Sequence, residues 1–164
     1  MNIAVAHPGA LKESWFREAF AEYQKRTSPF ASLEEIVFKP AKTGSGALSP
    51  AEIEACLAAE AEEFQKLFSS PKYARAFKIA LCVEGKQMTS ESFARLFADC
   101  RNTGKSTLLF LIGGSWGMAE SVKKACDMRL SFSEMTFPHS LFAVMLSEQI
   151  YRAFSILEKK GYHK

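Results

Sequence analysis

Hydrophobic positions in this chain change repeatedly between two patterns. Short apolar runs, which are typical of buried strands, occur at residues 3–6, 33–38, 77–83, 107–112 and 128–132. Between these runs, apolar residues recur with helical spacing, as at Phe16, Phe20 and Tyr23. The alternation of strands and helices predicts a single α/β domain over residues 1–164, with a parallel sheet covered by helices on both faces.

Local signals place several element boundaries. Ser49 is a good helix cap, Pro50 fits the first helical position, and Glu52 completes a capping box, so a helix is predicted to begin there. The polar triplet Glu84-Gly85-Lys86 predicts a turn after the third strand. The last helix is predicted from Ser140 to about Lys160.

Composition excludes several functional classes. The formal net charge of +3 is compatible with an RNA partner without indicating one. The 4 cysteines form no C-x-x-C pair and the 3 histidines are far apart in sequence, so we expect reduced thiols and no zinc site. The N-terminus lacks the features of a signal peptide, and no apolar run approaches the ~18 residues of a membrane span. We therefore expect a cytoplasmic protein.

Three strand ends are candidates for a ligand site, because ligands of open α/β sheets bind beyond the carboxyl ends of the strands. They are residues 81–86, 113–117 and 132–138. The spacing Gly113-Gly114-x-x-Gly117 is neither a dinucleotide fingerprint nor a P-loop, and a tight turn explains it as well as close approach of a ligand. The absence of a G-x-S-x-G motif argues against a hydrolase of that type.

Polar side chains near the C-terminus allow two interpretations each. Arg152 is suited to a phosphate or carboxylate, but it is equally placed for an ion pair with Glu148 one helical turn earlier. Tyr162 and His163 either belong to a solvated tail or close over a substrate base. His139 is either a loop residue, a helix cap or a functional group.

Four sequence blocks, taken in order, resemble the RlmH family of SPOUT methyltransferases, also called the YbeA family. The blocks are Gly113-Gly114-Ser115-x-Gly117, Leu130–His139, Glu148–Phe154 and Tyr162–Lys164. The resemblance extends over the whole chain. It implies an α/β fold with a C-terminal trefoil knot, a homodimer and S-adenosylmethionine as cofactor. It also implies methylation of N3 of pseudouridine 1915 in helix 69 of 23S ribosomal RNA, on assembled ribosomes.

The resemblance also assigns site residues. The family's cofactor contacts correspond here to Leu81, Gly113, Phe132, Ser133, Glu134, Met135, Thr136 and Phe137. The candidate catalytic residues are Arg152, His139 and His163, and either histidine or water is expected to accept the N3 proton. Arg152, Tyr162 and His163 are the candidate substrate contacts.

The chain departs from the family pattern at a few positions. Ala6-His7-Pro8 replaces the Val-Gly-Lys turn that is usual near the N-terminus, and Ala143 replaces an arginine expected near the cofactor loop. Trp116 is bulky for the glycine-containing segment and either stacks on a base or fills the pocket. Two alternatives therefore accompany the main hypothesis: a SPOUT methyltransferase with a shifted RNA target, or a ribosome-binding protein with weakened catalysis.

Overall fold

The computed structural model describes residues 1–41, 47–159 and 161–162. The strands are β1 (Asn2–Pro8), β2 (Ser32–Phe38), β3 (Phe77–Gln87), β4 (Thr107–Ile112) and β5 (Met128–Ser131). The helices are α1 (Ser14–Thr27), α2 (Pro50–Ser69), α3 (Ser90–Asn102), α4 (Glu120–Lys124) and α5 (His139–Leu157). None of the helices in the described part of the chain is long and apolar enough to cross a membrane.

The five strands form one sheet in the order β2-β1-β4-β3-β5, and every neighbouring pair is parallel. Successive residues of β4 enter different cores. Phe110 packs in one cluster with Phe97 of α3 and Ile150 of α5, whereas Leu109 packs in another with Phe64 of α2. Helices therefore cover both faces, which confirms the α/β fold predicted from the alternating pattern.

The start of α2 follows the predicted capping box. The Ser49 hydroxyl accepts a hydrogen bond from the Glu52 N–H at 3.3 Å, and the Ser49 N–H donates to the Glu52 carboxylate at 2.7 Å. Pro50 is the first helical residue, where its missing N–H costs nothing. The helix then buries Cys56 and Phe64.

The predicted turn at residues 84–86 is wrong, because β3 continues through them to Gln87. Leu130 of β5 is paired with Leu81 and again with Lys86, so the intervening segment is displaced from regular register. A Cβ atom added to Gly85 would lie 2.5 Å from the carbonyl carbon of Leu130. Glycine is thus required at position 85, because the backbone of Leu130 leaves no room for a side chain. A local turn signal does not reveal this contact.

Candidate functional site

A cavity of about 590 Å³ opens at the ends of β4 and β5, beside residues 81–84 of β3. Its lining comes from the segments 81–84, 112–118 and 131–139, together with Lys123 and Phe142. These segments overlap the three stretches selected from the sequence, and the fold brings them to one place. Of the predicted cofactor contacts, all except the exposed Glu134 line the cavity.

One wall of this cavity is the glycine turn, residues 113–117. The Gly117 N–H donates to the Gly114 carbonyl oxygen at 3.0 Å, and Gly117 has a φ of +83°. A Cβ atom on Gly113 would lie 2.3 Å from the Gly117 carbonyl oxygen. The tight-turn interpretation of the glycine spacing is confirmed, and the same segment borders the cavity, so close approach of a ligand stays a prediction. Trp116 is 45% exposed and lies outside the lining.

The opposite wall is the cofactor loop, residues 132–138, which connects β5 to α5. The Ser131 hydroxyl donates to the Ser133 carbonyl at 2.9 Å, and the Met135 N–H donates to the Ser133 hydroxyl at 3.0 Å. The Phe132 ring lies 4.9 Å from the Phe142 ring of α5, between centroids. Short local hydrogen bonds and an aromatic contact thus fix the loop before any ligand binds.

Charged side chains stand at the rim of the cavity. Lys123 forms an ion pair with Glu84 and lies 3.8 Å from Glu120, while Arg129 contacts Glu120 at 2.6 Å. The hydrogen bond from Lys123 lowers the pKa of Glu84, which keeps that carboxylate ionised. No group of His, Cys, Asp and Glu in the described ranges has the arrangement of a metal site.

His139 lines the cavity at the first position of α5. Burial lowers its pKa, and the nearby His7, whose ring centroid is 6.0 Å away, lowers it further. His139 is therefore neutral at pH 7, and its Nε2 lies 3.3 Å from the Ser140 hydroxyl. His7 is completely buried, with Nε2 3.0 Å from the Glu35 carboxylate and Nδ1 3.0 Å from the Gly9 carbonyl oxygen.

Arg152 of α5 and Tyr162 of the C-terminal tail are half-buried and lie outside this cavity. The Arg152 Nε donates to Glu148 at 2.9 Å, and its guanidinium carbon lies 4.8 Å from the centroid of the Tyr162 ring. The Tyr162 hydroxyl donates to the same carboxylate at 3.2 Å. Burial, followed by contacts with Tyr23 and Glu148, raises the pKa of Tyr162 to about 12. The ion-pair interpretation of Arg152 is confirmed, and His163 lies outside the described residues.

A second cavity of about 540 Å³ lies between α3 and α5. Phe93 and Met145 form part of its apolar surface, and Glu148 brings the Arg152 ion pair to its edge. Ser131 and Phe132 line both cavities, so the start of the cofactor loop separates them. Sequence reasoning missed this cavity, because its lining residues share no local motif and meet only in the folded chain.

Ala143 is completely buried in the core on the sheet-facing side of α5. Its neighbour Phe142 lines the first cavity, whereas Ala143 does not. The missing arginine therefore corresponds to a core position in this chain. A side chain of arginine size would displace packed apolar atoms there.

Comparison with known proteins agrees with the fold and with the sequence blocks. Residues 1–163 match the family model described as a predicted SPOUT methyltransferase. The ribosomal RNA large subunit methyltransferase H of Clostridium botulinum strain Hall is 43% identical over 164 residues, which span all of both chains. The enzyme of the same name from Clostridium perfringens is 41% identical over the same full length.

Solved structures share the fold at low sequence identity. A probable methylase family protein from Haemophilus influenzae superimposes with a TM-score of 0.55 at 13% identity, over 99% of this chain and 70% of that one. A tRNA methyltransferase from Aquifex aeolicus gives the same TM-score at 14% identity, over 93% of this chain and 70% of that one. With its family model matched almost end to end and full-length relatives above 40% identity, the chain belongs to the SPOUT methyltransferase family.

Proposed function

We propose that the protein transfers a methyl group from S-adenosylmethionine to N3 of pseudouridine 1915 in helix 69 of 23S ribosomal RNA. SPOUT methyltransferases use S-adenosylmethionine as methyl donor. The names of the full-length relatives support large-subunit ribosomal RNA as the substrate. The observation that carries the proposal is the convergence of Leu81, Gly113 and residues 132–137, apart from Glu134, on one cavity.

The cavity suits this cofactor in size and chemistry. A volume of about 590 Å³ lies within the range of about 300–1,000 Å³ that small-molecule sites occupy. Glycine backbone and aromatic rings form much of its surface, with the hydroxyls of Ser133 and Thr136 among them. S-adenosylmethionine has no phosphate, so neither a P-loop nor a basic cluster is needed. When bound, it supplies a methyl group already activated on a sulfonium.

Methylation at N3 requires that the N3 proton leave. As the new N–C bond forms and the S–C bond breaks, a neutral ring nitrogen nearby is the simplest acceptor of that proton. His139 lines the cofactor cavity and burial keeps it unprotonated. We assign the acceptor role to His139, with His163 as the other candidate. Holding N3 in line with the methyl group supplies on the order of 7–11 kcal/mol in well-oriented systems.

The substrate RNA is proposed to approach across α5. Arg152 and Tyr162 are the proposed substrate contacts, because a guanidinium pairs with phosphate and an aromatic ring stacks on bases. Their partner Glu148 reaches the second cavity, which shares Phe132 with the cofactor cavity. An RNA segment held by Arg152 would therefore lie beside the wall that separates the two cavities.

The trefoil knot and the homodimer are part of the same proposal. The double pairing of Leu130 with Leu81 and Lys86, and the close crossing at Gly85, support a threaded chain around the cofactor loop. Apolar side chains are exposed around the cavity, including Met135 at 71% and Val83 at 44%. Their exposure supports contact with a second copy near the site.

The proposal is tested by labelled methyl transfer to ribosomes that lack this modification, followed by mass spectrometry of the RNA nucleosides. We expect one methyl group per ribosome, recovered as N3-methylpseudouridine from helix 69. Label at another nucleotide would indicate a shifted RNA target. Ribosome binding with no transfer, under conditions where the protein binds S-adenosylmethionine, would indicate a protein that has lost catalysis.

A further inference from the structure

Glu60 lies on α2, outside the cofactor cavity, yet its carboxylate packs against the glycine turn. A Cβ atom added to Gly114 would lie 2.7 Å from one carboxylate oxygen of Glu60 and 2.8 Å from the other. The backbone N–H groups of Ala41 and Gly114 approach this carboxylate and lower its pKa, while burial raises it more strongly. The carboxylate therefore lies against Gly114, and the amides of two separate chain segments, at Ala41 and Gly114, favour its ionised form.

These two segments follow different strands of the sheet. Ala41 comes after β2 and Gly114 after β4, and β1 lies between those strands. Glu60 therefore links two strand ends across a third. The helix that carries Glu60 is itself fixed, because Phe64 is 1% exposed and its ring meets the Phe38 ring edge-on at 4.9 Å.

The contact with Glu60 leaves the glycine turn little freedom. The Gly114 carbonyl accepts the Gly117 N–H at 3.0 Å, while the Glu60 carboxylate lies so close to Gly114 that a Cβ atom there has no room. Gly114 itself lines the cofactor cavity, together with Gly113, Ser115 and Gly117. Any change in the orientation of Gly114 is therefore transmitted to the wall of the cavity.

We propose that Glu60 is a positioning residue for S-adenosylmethionine, because its carboxylate holds the glycine turn in the conformation that completes the cavity. This inference rests on the proposed placement of the cofactor. Other glutamates of α2 have no such role: Glu62 is exposed, and Glu63 pairs with Lys66 on the same helix. A carboxylate suits the position, because both of its oxygens accept hydrogen bonds.

Two substitutions disturb this contact from opposite sides. Glu60→Gln keeps the size of the side chain but replaces one acceptor oxygen with an NH₂ group that faces a backbone N–H. Gly114→Ala adds a methyl group where the carboxylate now lies, so the flexible end of Glu60 must move. Glu62→Gln is the matched control, with the same chemical change on the exposed side of α2.

The affinity for S-adenosylhomocysteine is measured by calorimetry for all three variants and for the double variant. We expect each of Glu60→Gln and Gly114→Ala to raise the Kd about 10-fold, with the thermal midpoint of the free protein nearly unchanged. The double variant should bind no more weakly than the weaker single variant, because both changes remove one contact. The Kd of Glu62→Gln should stay within about 2-fold of the wild-type value, a difference too small to count as a loss of affinity.

A second readout uses the free protein. Amide hydrogen exchange, followed by NMR, should show faster exchange at Gly114 in Glu60→Gln than in the wild type, with the core of β4 unchanged. Wild-type affinity in Glu60→Gln, or losses that multiply in the double variant, would overturn the positioning role. If the wild-type protein itself bound no cofactor, the proposed function would fail. Independently of that result, unchanged amide exchange at Gly114 in Glu60→Gln would refute the role of Glu60.

Discussion

The cofactor cavity depends on the path of the chain, whereas the Arg152 cluster (Glu148, Arg152 and Tyr162) depends on contacts between side chains. The cavity is formed largely by three segments of the chain: the glycine turn, the cofactor loop and residues 81–84 of β3. The Arg152 cluster consists of side chains on one helix and the tail that satisfy each other, with both polar partners bound to Glu148. Added atoms should therefore abolish function in the first region, whereas removed atoms should reduce it gradually in the second.

The largest effect is expected from filling the cavity. Thr136→Trp places an indole among the lining residues of the cofactor loop, and its native side chain is exposed enough that the fold should tolerate the change. We expect S-adenosylmethionine binding to be lost by calorimetry, a change of at least about 100-fold in Kd. Gly113→Trp should act in the same way but also destabilise the turn, because a Cβ there meets the Gly117 carbonyl. Ser121→Trp on the exposed surface of α4 is the control.

Removal of the proposed proton acceptor should come next. His139→Ala is expected to slow methyl transfer about 10²–10⁴-fold in single-turnover experiments, with little change in cofactor affinity. In the wild type, the basic form of His139 is required and its pKa is lowered. The rate should thus be flat near pH 7 and fall only as the pH drops well below 6.5. A His139→Ala protein with the wild-type rate would exclude this role.

An intermediate effect is expected at Arg152. Arg152→Ala should weaken binding of the ribosomal RNA about 10-fold and leave S-adenosylmethionine affinity unchanged, because the side chain lies outside the cofactor cavity. If Arg152 contacts a phosphate, the slope of log affinity against log salt should decrease by about one. Equal losses of RNA and cofactor affinity would contradict the separation of the two regions.

The smallest effect is expected from Tyr162→Phe. The ring that packs against the Arg152 guanidinium is kept, while the hydroxyl is lost with its contacts to Glu148, at 3.2 Å, and to Tyr23. Urea denaturation should show a decrease in the free energy of unfolding below about 1 kcal/mol, and RNA affinity should stay within about 2-fold. Tyr162→Ala removes the ring as well, so it should weaken RNA binding more than Tyr162→Phe does if stacking is the role of this residue.

Local patterns predicted most of the fold and little of the site's construction. The strands and the start of α2 were predictable because their signals, such as Ser49 with Glu52, act within a few residues. The turn at residues 84–86 was predicted wrongly, because Gly85 is needed for the close approach of the Leu130 backbone. That contact joins segments that are distant in sequence. The last helix likewise begins at His139 and ends at Leu157, three residues before the predicted Lys160.

The proposed site residues also differ in whether the sequence could reveal them. The family resemblance selected Leu81, Gly113 and most of the cofactor loop, and the fold brings them together in one cavity. Glu60 carries no recognisable motif, since its environment comes from Ala41 and Gly114, which are distant in sequence. The assignment of Arg152 to RNA stays a prediction, because its guanidinium is observed in an ion pair with Glu148 and against the Tyr162 ring.

A crystal structure of the protein with S-adenosylhomocysteine is the most direct test of the central claim. Electron density for the ligand is expected between the glycine turn and the cofactor loop, in contact with Leu81, Gly113 and residues 132–137. The carboxylate of Glu60 should remain against Gly114. Ligand density in the cavity between α3 and α5, against Phe93 and Met145, would contradict the account.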